Sequence, residues 1–340
     1  MQKHKNIPFF IPHSGCKNNC VFCSQTKITG YCLPESDMIS EAHRLRNVVE
    51  ESLQYLNGGE AQIAFFGGSF TGIEPERMVL LLQTAYEYVK DGKVCGVRLS
   101  TRPDYIDDSI LDILESYGVT DIELGLQSTD EAVLKAAGRG HDRDVCFRSA
   151  EQIVKRGFRL GGQMMIGLPE SNLAKEVRTA KDIVDMGAVC ARIYPTVVFE
   201  GTKLYDMAME GSYTPLTNDE AVIRSVECLS VFRKSNVEIL RIGLHASDEL
   251  ARAPFGANHP AMGELVYGEE AYRNIASHIG QRDTYDKTLK VYVPPRLVSA
   301  CAGVNGRNKE RLIANYGFKA VKIYKNEDVS ELKVIIEAEE

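Results

Sequence analysis

Short apolar runs alternate with longer amphipathic stretches through about the first two-thirds of the chain, and glycine or proline often stands between them. Short apolar runs are typical of strands buried in a parallel sheet. The longer stretches repeat apolar positions at the spacing of a helix. The pattern predicts strands over residues 7–12, 62–66, 97–100, 121–127, 160–166, 191–198 and 238–244. It predicts helices over residues 41–56, 75–90, 107–117, 144–156, 173–186 and 218–234.

About six such strand–helix units predict an α/β fold, a partial (β/α)6-type barrel over residues 1–245. Residues 246–287 are less regular, so we expect a connector that carries one helix. A new pattern of short strands and helices over residues 288–340 predicts a small C-terminal α+β appendage. In α/β barrels the chemistry lies at the carboxyl ends of the strands, and the unusual residues of this chain fall there.

The composition narrows the class of protein. The chain has 340 residues, of which 44% are hydrophobic, and it contains no long apolar run that predicts a membrane span. Residues 1–12 lack the apolar stretch of a signal peptide, so we expect a cytoplasmic protein. Nine cysteines, an odd number, argue against a disulfide framework. The net charge of −7 argues against a chain that is basic throughout.

Three of the cysteines crowd together directly after the first predicted strand. Cys16, Cys20 and Cys23 form a C-x3-C-x2-C motif. Three thiolates at this spacing can hold a 4Fe–4S cluster and leave one iron open to another ligand. The alternatives are a zinc site and buried structural thiols. Zinc takes four ligands, and no second cysteine pair follows the motif, although His13 is near. The spacing favours the cluster.

The motif, its place after the first strand and the later motifs resemble the radical S-adenosylmethionine (radical SAM) superfamily over about residues 7–244. The resemblance implies that S-adenosylmethionine (SAM) binds the open iron and is cleaved reductively to a 5′-deoxyadenosyl radical. It also implies an electron donor such as flavodoxin or ferredoxin.

The same resemblance implies a set of cofactor contacts. It places Phe22 beside the adenine and gives the backbone of residues 67–69 to the methionine amino group. Arg102 could pair with the methionine carboxylate, or it could form a surface salt bridge. Met165 could lie near the adenine or be plain core. The predicted cofactor-binding residues are Phe22, Gly67, Gly68, Ser69, Ser100, Arg102, Gln127, Gln163 and Met165.

Within the superfamily, the chain most resembles the radical domain of the Elongator catalytic subunit and its bacterial relatives. The resemblance rests on residues 67–71, 100–104, 126–128, 139–141, 165–169 and 194–196. It implies action on transfer RNA. The Elongator subunit also has an acetyltransferase domain, for which too few residues follow Leu244, so we expect no acetyl transfer. Oxygen-independent coproporphyrinogen oxidases share fewer features, and they make a small-molecule substrate the alternative. Tyr194 and His141 are candidate catalytic residues.

The appendage carries a basic segment. Residues 281–325 contain ten lysines or arginines and three acids. Within them, Gly303 and Gly306 form a G-x-x-G that loosely resembles the loop with which KH modules clamp a nucleic-acid backbone. Arg307 and Lys309 follow as candidate contacts for transfer RNA. The alternatives are a structural subdomain with a tight glycine turn and, for the whole chain, a non-catalytic RNA-binding protein that holds zinc.

Overall fold

The computed structural model describes residues 5–11, 16, 20–24, 37–56 and 61–338. The chain divides into two compact units. The first comprises Met1–Thr217 and Cys228–Pro260, and the second comprises Asn218–Glu227 and Ala261–Glu340.

The first unit is built on a parallel sheet of seven strands in the order β1-β2-β3-β4-β5-β6-β8 among the described residues. Its strands are β1 (Lys5–Ile11), β2 (Ala61–Gly67), β3 (Gly96–Thr101), β4 (Val119–Gln127), β5 (Arg159–Ile166), β6 (Cys190–Pro195) and β8 (Glu238–Ile242). Neighbours in sequence are neighbours in the sheet, as successive strand–helix units require. The predicted partial α/β barrel is confirmed.

Helices connect these strands. They are α1 (Met38–Leu53), α2 (Pro75–Lys90), α3 (Asp108–Ser116), α4 (Glu131–Ala136), α5 (Arg143–Lys155), α6 (Leu173–Asp185), α7 (Lys203–Met209), α8 (Asn218–Lys234) and α9 (Asp248–Arg252). Side-chain caps begin several of them: Asp107, Asp142 and Asn172 each accept a backbone N–H of the first turn. Pro75 begins α2, where its missing N–H leaves no helical hydrogen bond unmade.

Several features of the first unit differ from the sequence pattern. Helices α4, α7 and α9 were not predicted, because five to seven residues are too few to show a helical period. The predicted strand over residues 191–198 is divided. Strand β6 ends at Pro195, and β7 (Val197–Val198) leaves the main sheet to pair antiparallel with β9 (Phe255–Gly256). Apolar residues continue across the break, so the pattern could not reveal it.

The second unit is a small α+β domain, as the pattern predicted. It contains α10 (Met262–Ile279), β10 (Thr288–Val293), α11 (Val298–Ala302), α12 (Arg307–Tyr316), β11 (Ala320–Lys325) and β12 (Lys333–Glu337). Strand β10 is central, parallel to β11 and antiparallel to β12. Ile275 and Ile279 of α10 lie in the core of this unit. The division at residues 245 and 287 stays a prediction.

No helix in the described ranges combines the length and the apolar character that crossing a membrane requires.

Candidate active site

A cavity of about 1150 Å³ lies within the first unit. Side chains from β1, β2, β3, β4, β5, β6 and β8 line it, most of them near the carboxyl ends of these strands. Pockets for one drug-sized ligand are roughly 300–1,000 Å³. This cavity can therefore hold a cofactor and part of a substrate together.

The three cysteines of the motif line one region of this cavity. Backbone hydrogen bonds hold the segment around the last two cysteines, since Val21 N–H donates to Ala137 O at 3.1 Å and Cys23 N–H donates to Cys20 O at 3.0 Å. Burial, with Cys20 and then Cys16 nearby, raises the pKa of the Cys23 thiol to about 12. Bound iron would supply the positive charge that three neighbouring thiolates need.

Among the described residues, no three His, Cys, Asp or Glu side chains converge closely enough to hold a single metal ion. The cysteines of a cluster bind different irons, so they surround a volume larger than one ion. His13 and Cys32 lie outside the described residues.

Two buried arginines face the sulfur of Cys20. Arg139 Nη1 lies 3.2 Å from Cys20 Sγ, and Arg102 Nη1 lies 3.8 Å from it. Arg102 also forms a two-pronged ion pair with Asp104, at 2.8 and 2.9 Å, and donates to Arg139 O. The predicted carboxylate-binding arginine is thus already paired with a protein carboxylate. The two guanidinium groups therefore place positive charge beside a sulfur of the proposed cluster site.

The glycine-rich turn after β2 brings this strand against β1. Gly67 has φ +107°, and a Cβ there would lie 2.8 Å from Ile11 O. Gly68 N–H donates to the same carbonyl at 2.9 Å. Only glycine allows this close approach of two backbones. Ser69 is buried and its Oγ lies 3.2 Å from Cys16 Sγ, so the turn reaches the cysteine loop.

Phe22 and Met165, two of the predicted cofactor-binding residues, lie against the same apolar cluster. Both pack against the buried cluster of Val133, Ala137 and Leu168, and both line the cavity. Gln127 has an unusual backbone, with φ +65°, and its buried Oε1 has no hydrogen-bond partner among the described residues. A buried amide oxygen in a cavity wall without a partner fits a site built for a polar ligand.

A network of buried charges includes Ser100, Gln163 and Arg192 of the cavity wall. Glu123 accepts from Arg192 Nε at 2.6 Å and from Arg98 Nη1 at 3.0 Å. It also accepts from Gln163 Nε2 at 2.9 Å, and the same amide donates to Ser100 Oγ at 3.1 Å. Burial favours the neutral acid, but Arg192 and Arg98 outweigh it and lower the pKa of Glu123. Predicted cofactor residues Gln163 and Ser100 are therefore parts of one ionised network.

Arg241 brings a positive charge to the part of the cavity wall formed by β8, where Glu238 also lies. Arg241 donates to two carbonyls, Gly243 O at 2.9 Å and Leu244 O at 3.1 Å, and it has no ion pair in the part of the chain described. Burial lowers the pKa of His245, and the positive charges of Arg241 and Arg192 lower it further. Tyr194 lies beside Arg192, and burial raises its pKa. The guanidinium of Arg241 can bind an anionic group of a substrate.

His141 is the predicted candidate that the cavity does not include. It precedes α5, its Nδ1 lies 3.6 Å from Cys146 Sγ, and burial followed by Arg139 lowers its pKa to about 4. Sequence reasoning did not place Arg139, Arg192 or Arg241 in the site. Arg139 belongs to the motif of residues 139–141, so the family resemblance could have identified it. Arg241 belongs to no motif that could have identified it.

The profile described as the Radical SAM superfamily matches residues 10–183, slightly more than half of the chain. The chain belongs to the radical SAM superfamily. A second profile, the Radical_SAM C-terminal domain, matches residues 189–271. Like other radical SAM enzymes, the protein uses a 4Fe–4S cluster and SAM.

Relatives within the superfamily include proteins that act on transfer RNA. An uncharacterised protein of Methanocaldococcus jannaschii is 30% identical over 236 residues, 65% of this chain and 70% of that one. The tRNA uridine(34) acetyltransferase of Methanocaldococcus infernus is 29% identical over 173 residues, 50% of this chain. Elongator complex protein 3 of Saccharomyces cerevisiae is 34% identical over 125 residues, 36% of this chain. The chain spans 32% and 22% of these last two relatives.

A solved structure has the same fold. Archaeal Elp3 of Methanocaldococcus infernus, with its N-terminus deleted, superposes with a TM-score of 0.63 and 19% sequence identity. The match covers 79% of this chain and 63% of that one. The sequence relatives and this shared fold together confirm the predicted resemblance to the radical domain of the Elongator subunit.

Proposed function

We infer that this radical SAM enzyme binds its cluster through Cys16, Cys20 and Cys23 and modifies RNA, with transfer RNA as the substrate. The observation that carries this is a single cavity, which has in its wall the three thiols and the guanidinium of Arg241, a group without an ion pair among the described residues. When bound, the reduced cluster supplies the electron that cleaves SAM to a 5′-deoxyadenosyl radical. The electron comes from a donor such as flavodoxin or ferredoxin.

The residues of the chain then have distinct roles. Arg139 and Arg102 hold positive charge against Cys20. The turn at Gly67 and Gly68 leaves backbone accessible to the methionine part of SAM. Phe22 and Met165 offer an apolar wall for the adenine. These assignments extend the family pattern to individual positions of this chain.

Three features support RNA as the substrate. The guanidinium of Arg241 in the cavity wall suits phosphate. The second unit carries the basic segment of residues 281–325. The tRNA uridine(34) acetyltransferase named above acts on transfer RNA by its name, although the chain spans only 32% of its length. The fit to phosphate is shared with carboxylates, so a carboxylated small molecule is the alternative substrate.

Substitution of Arg241 tests whether its positive charge contributes to binding of the RNA substrate. With reconstituted protein, SAM and dithionite, unmodified transfer RNA should stimulate formation of 5′-deoxyadenosine, measured by chromatography. Arg241→Gln should lower kcat/KM for the RNA about 10- to 150-fold, the value of a charged hydrogen bond. SAM binding, measured by equilibrium dialysis, separates loss of substrate contact from loss of the cofactor site.

Arg148→Gln removes the same charge from an exposed position on α5 and serves as the matched control. Equal losses in both variants would contradict a specific role for Arg241. Stimulation by a porphyrinogen or another carboxylated molecule, with none by RNA, would replace the RNA proposal by the small-molecule alternative.

Arg307 and Lys309 at the start of α12 are the proposed contacts of the second unit with RNA phosphates. Arg307 pairs with Asp219 at 3.0 Å, and both side chains are exposed, so the pair contributes little and leaves the guanidinium accessible. The double variant Arg307→Glu/Lys309→Glu should weaken transfer RNA binding. It should also lower the slope of log affinity against log salt by the equivalent of up to two phosphate contacts. Filter binding over a salt series measures both. An unchanged affinity and an unchanged salt slope would contradict the proposed contact of Arg307 and Lys309 with RNA.

A further inference from the structure

The three-stranded sheet of the second unit has one face in the core and one face outside it. Leu289, Val291 and Val293 of β10 point into the core, with Val321 of β11 and Val334 of β12. Side chains alternate along a strand, so the residues between them share the other face. This outer face comprises Thr288, Lys290, Tyr292, Ala320, Lys322, Tyr324, Lys333, Ile335 and Glu337.

Two tyrosines stack on the outer face. Tyr292 and Tyr324 are register partners on the parallel strands β10 and β11. Their ring centroids are 5.2 Å apart and their planes differ by 20°. Tyr324 is 38% exposed. Among the described residues β11 is an edge strand of this sheet, so no described strand covers the side of the Tyr324 ring that faces away from Tyr292.

Lysines surround the tyrosine pair. Lys322 and Lys290 are register partners one row away, and Lys333 of β12 is the register partner of Tyr292. The face has one acid, Glu337, which pairs with Lys290 at 2.5 Å. Within the described ranges, Lys322 and Lys333 form no ion pair. The face therefore carries two lysines without a carboxylate partner beside a partly open aromatic ring.

This combination matches the chemistry of unpaired nucleotides. A base can stack on the open side of an aromatic ring, whichever base it is. Lys322, two residues before Tyr324 on the same strand, and Lys333, two strands away, can meet phosphates on either side of the base. A stacked tyrosine pair alone would be accounted for as a cross-strand contact that stabilises the sheet. The two lysines without acidic partners add a charge that only an anionic ligand would match.

We propose that this tyrosine–lysine face binds a single-stranded segment of RNA, with a base stacked on Tyr324 and phosphates on Lys322 and Lys333. The inference rests on the proposed RNA function and deepens it. It identifies an RNA-binding surface made of strand residues, in addition to Arg307 and Lys309 at the start of α12. It also specifies the form of RNA, since a base within a duplex is not free to stack.

The test measures binding of a fluorescein-labelled oligouridylate to the full chain by anisotropy. Tyr324→Ala should weaken binding about 5- to 150-fold, the range for loss of one stacked base. Tyr324→Phe keeps the ring and should bind close to the wild type. Tyr285→Ala is the matched control, because Tyr285 is 81% exposed in the same basic segment but lies outside the sheet. Thermal melting of each variant verifies that it is folded.

The contribution of Lys322 and Lys333 can be measured separately, through the salt dependence of binding. For single strands, the slope of log affinity against log salt changes by about 0.7 for each phosphate contact. Lys322→Gln/Lys333→Gln should therefore lower the slope by about 1.4. A role in the stability of the sheet would not change this slope. An unlabelled single strand should compete with the probe, and a duplex of the same length should not.

The outcomes separate this proposal from the one on which it rests. If Tyr324→Ala binds as tightly as the wild type while Arg307→Glu/Lys309→Glu does not bind, RNA remains the ligand and the tyrosine–lysine face is overturned. Equal competition by the duplex also overturns it. If the wild type retains neither the oligouridylate nor transfer RNA, both proposals fall.

Discussion

Cys20→Ala should abolish both iron binding and the formation of 5′-deoxyadenosine. Cys20 is one of three thiols in the motif and the one that both Arg139 and Arg102 face. Without it, a cluster would have two protein ligands. Loss of an outer-shell partner alone typically costs 10–100-fold in metal affinity or activity, so loss of a ligand should lower product at least about 100-fold. Iron and sulfide analysis, with chromatography of the reaction after dithionite reduction, measures both effects.

Cys95→Ala is the matched control. Cys95 is a free and exposed thiol just before β3, and its Sγ donates to Ala61 O at 3.3 Å. It is not part of the cavity wall, so its loss should leave the iron content and the product unchanged. Full iron in Cys20→Ala would contradict the proposed ligand set. Stoichiometric zinc in the wild type, with no iron after reconstitution, would instead support the zinc interpretation of the motif.

Arg98→Leu should destabilise the protein by about 3–5 kcal/mol, the cost of removing one partner from a buried ion pair. Arg98 is 1% exposed and pairs with Asp121 at 2.6 Å and with Glu123 at 3.0 Å. Removing it leaves Asp121 without its closest cation and Glu123 with Arg192 alone. The free energy of unfolding from urea denaturation measures the effect, with the cluster absent from both proteins so that metal binding does not contribute.

Arg159→Leu removes a second arginine from the same acid and is the control. Its Nε lies 3.6 Å from Asp121 Oδ1, but the side chain is 53% exposed, so we expect a loss of about 0–1 kcal/mol. Similar losses in the two variants would contradict the view that burial determines the cost.

Acid should narrow the difference between the wild type and Arg98→Leu. The pKa of Glu123 is lowered in the folded wild type, so its contribution to stability is present above its usual pKa and disappears as the pH falls through the lowered one. In the variant, Glu123 has lost a cation and protonates at a higher pH, which relieves the uncompensated charge. Urea denaturation over a pH series measures this. A difference that stays constant with pH would place the cost in lost packing.

The spacing of residues along the sequence was enough to predict the part of the site whose residues are close together in the chain. Cys16, Cys20 and Cys23 are close along the chain, so any loop brings their thiols into one region. The period of apolar residues likewise identified the strands of the parallel sheet, because burial on both faces leaves few polar positions. Phe22 and Met165 came from the family resemblance, and the structure places both against the same apolar cluster.

Only the tertiary structure decided which charges meet. Arg139 reaches Cys20 across 119 positions of the chain, and Arg192 reaches Glu123 across 69. Arg241 at the end of β8 has no sequence motif, and the stack of Tyr292 on Tyr324 depends on the register of two strands. The period of a strand indicates which face a side chain shares but not which strand lies beside it. The sequence by itself therefore determined the cluster motif and the barrel, and the pairing of distant strands decided the electrostatics of the cavity and the surface proposed for RNA.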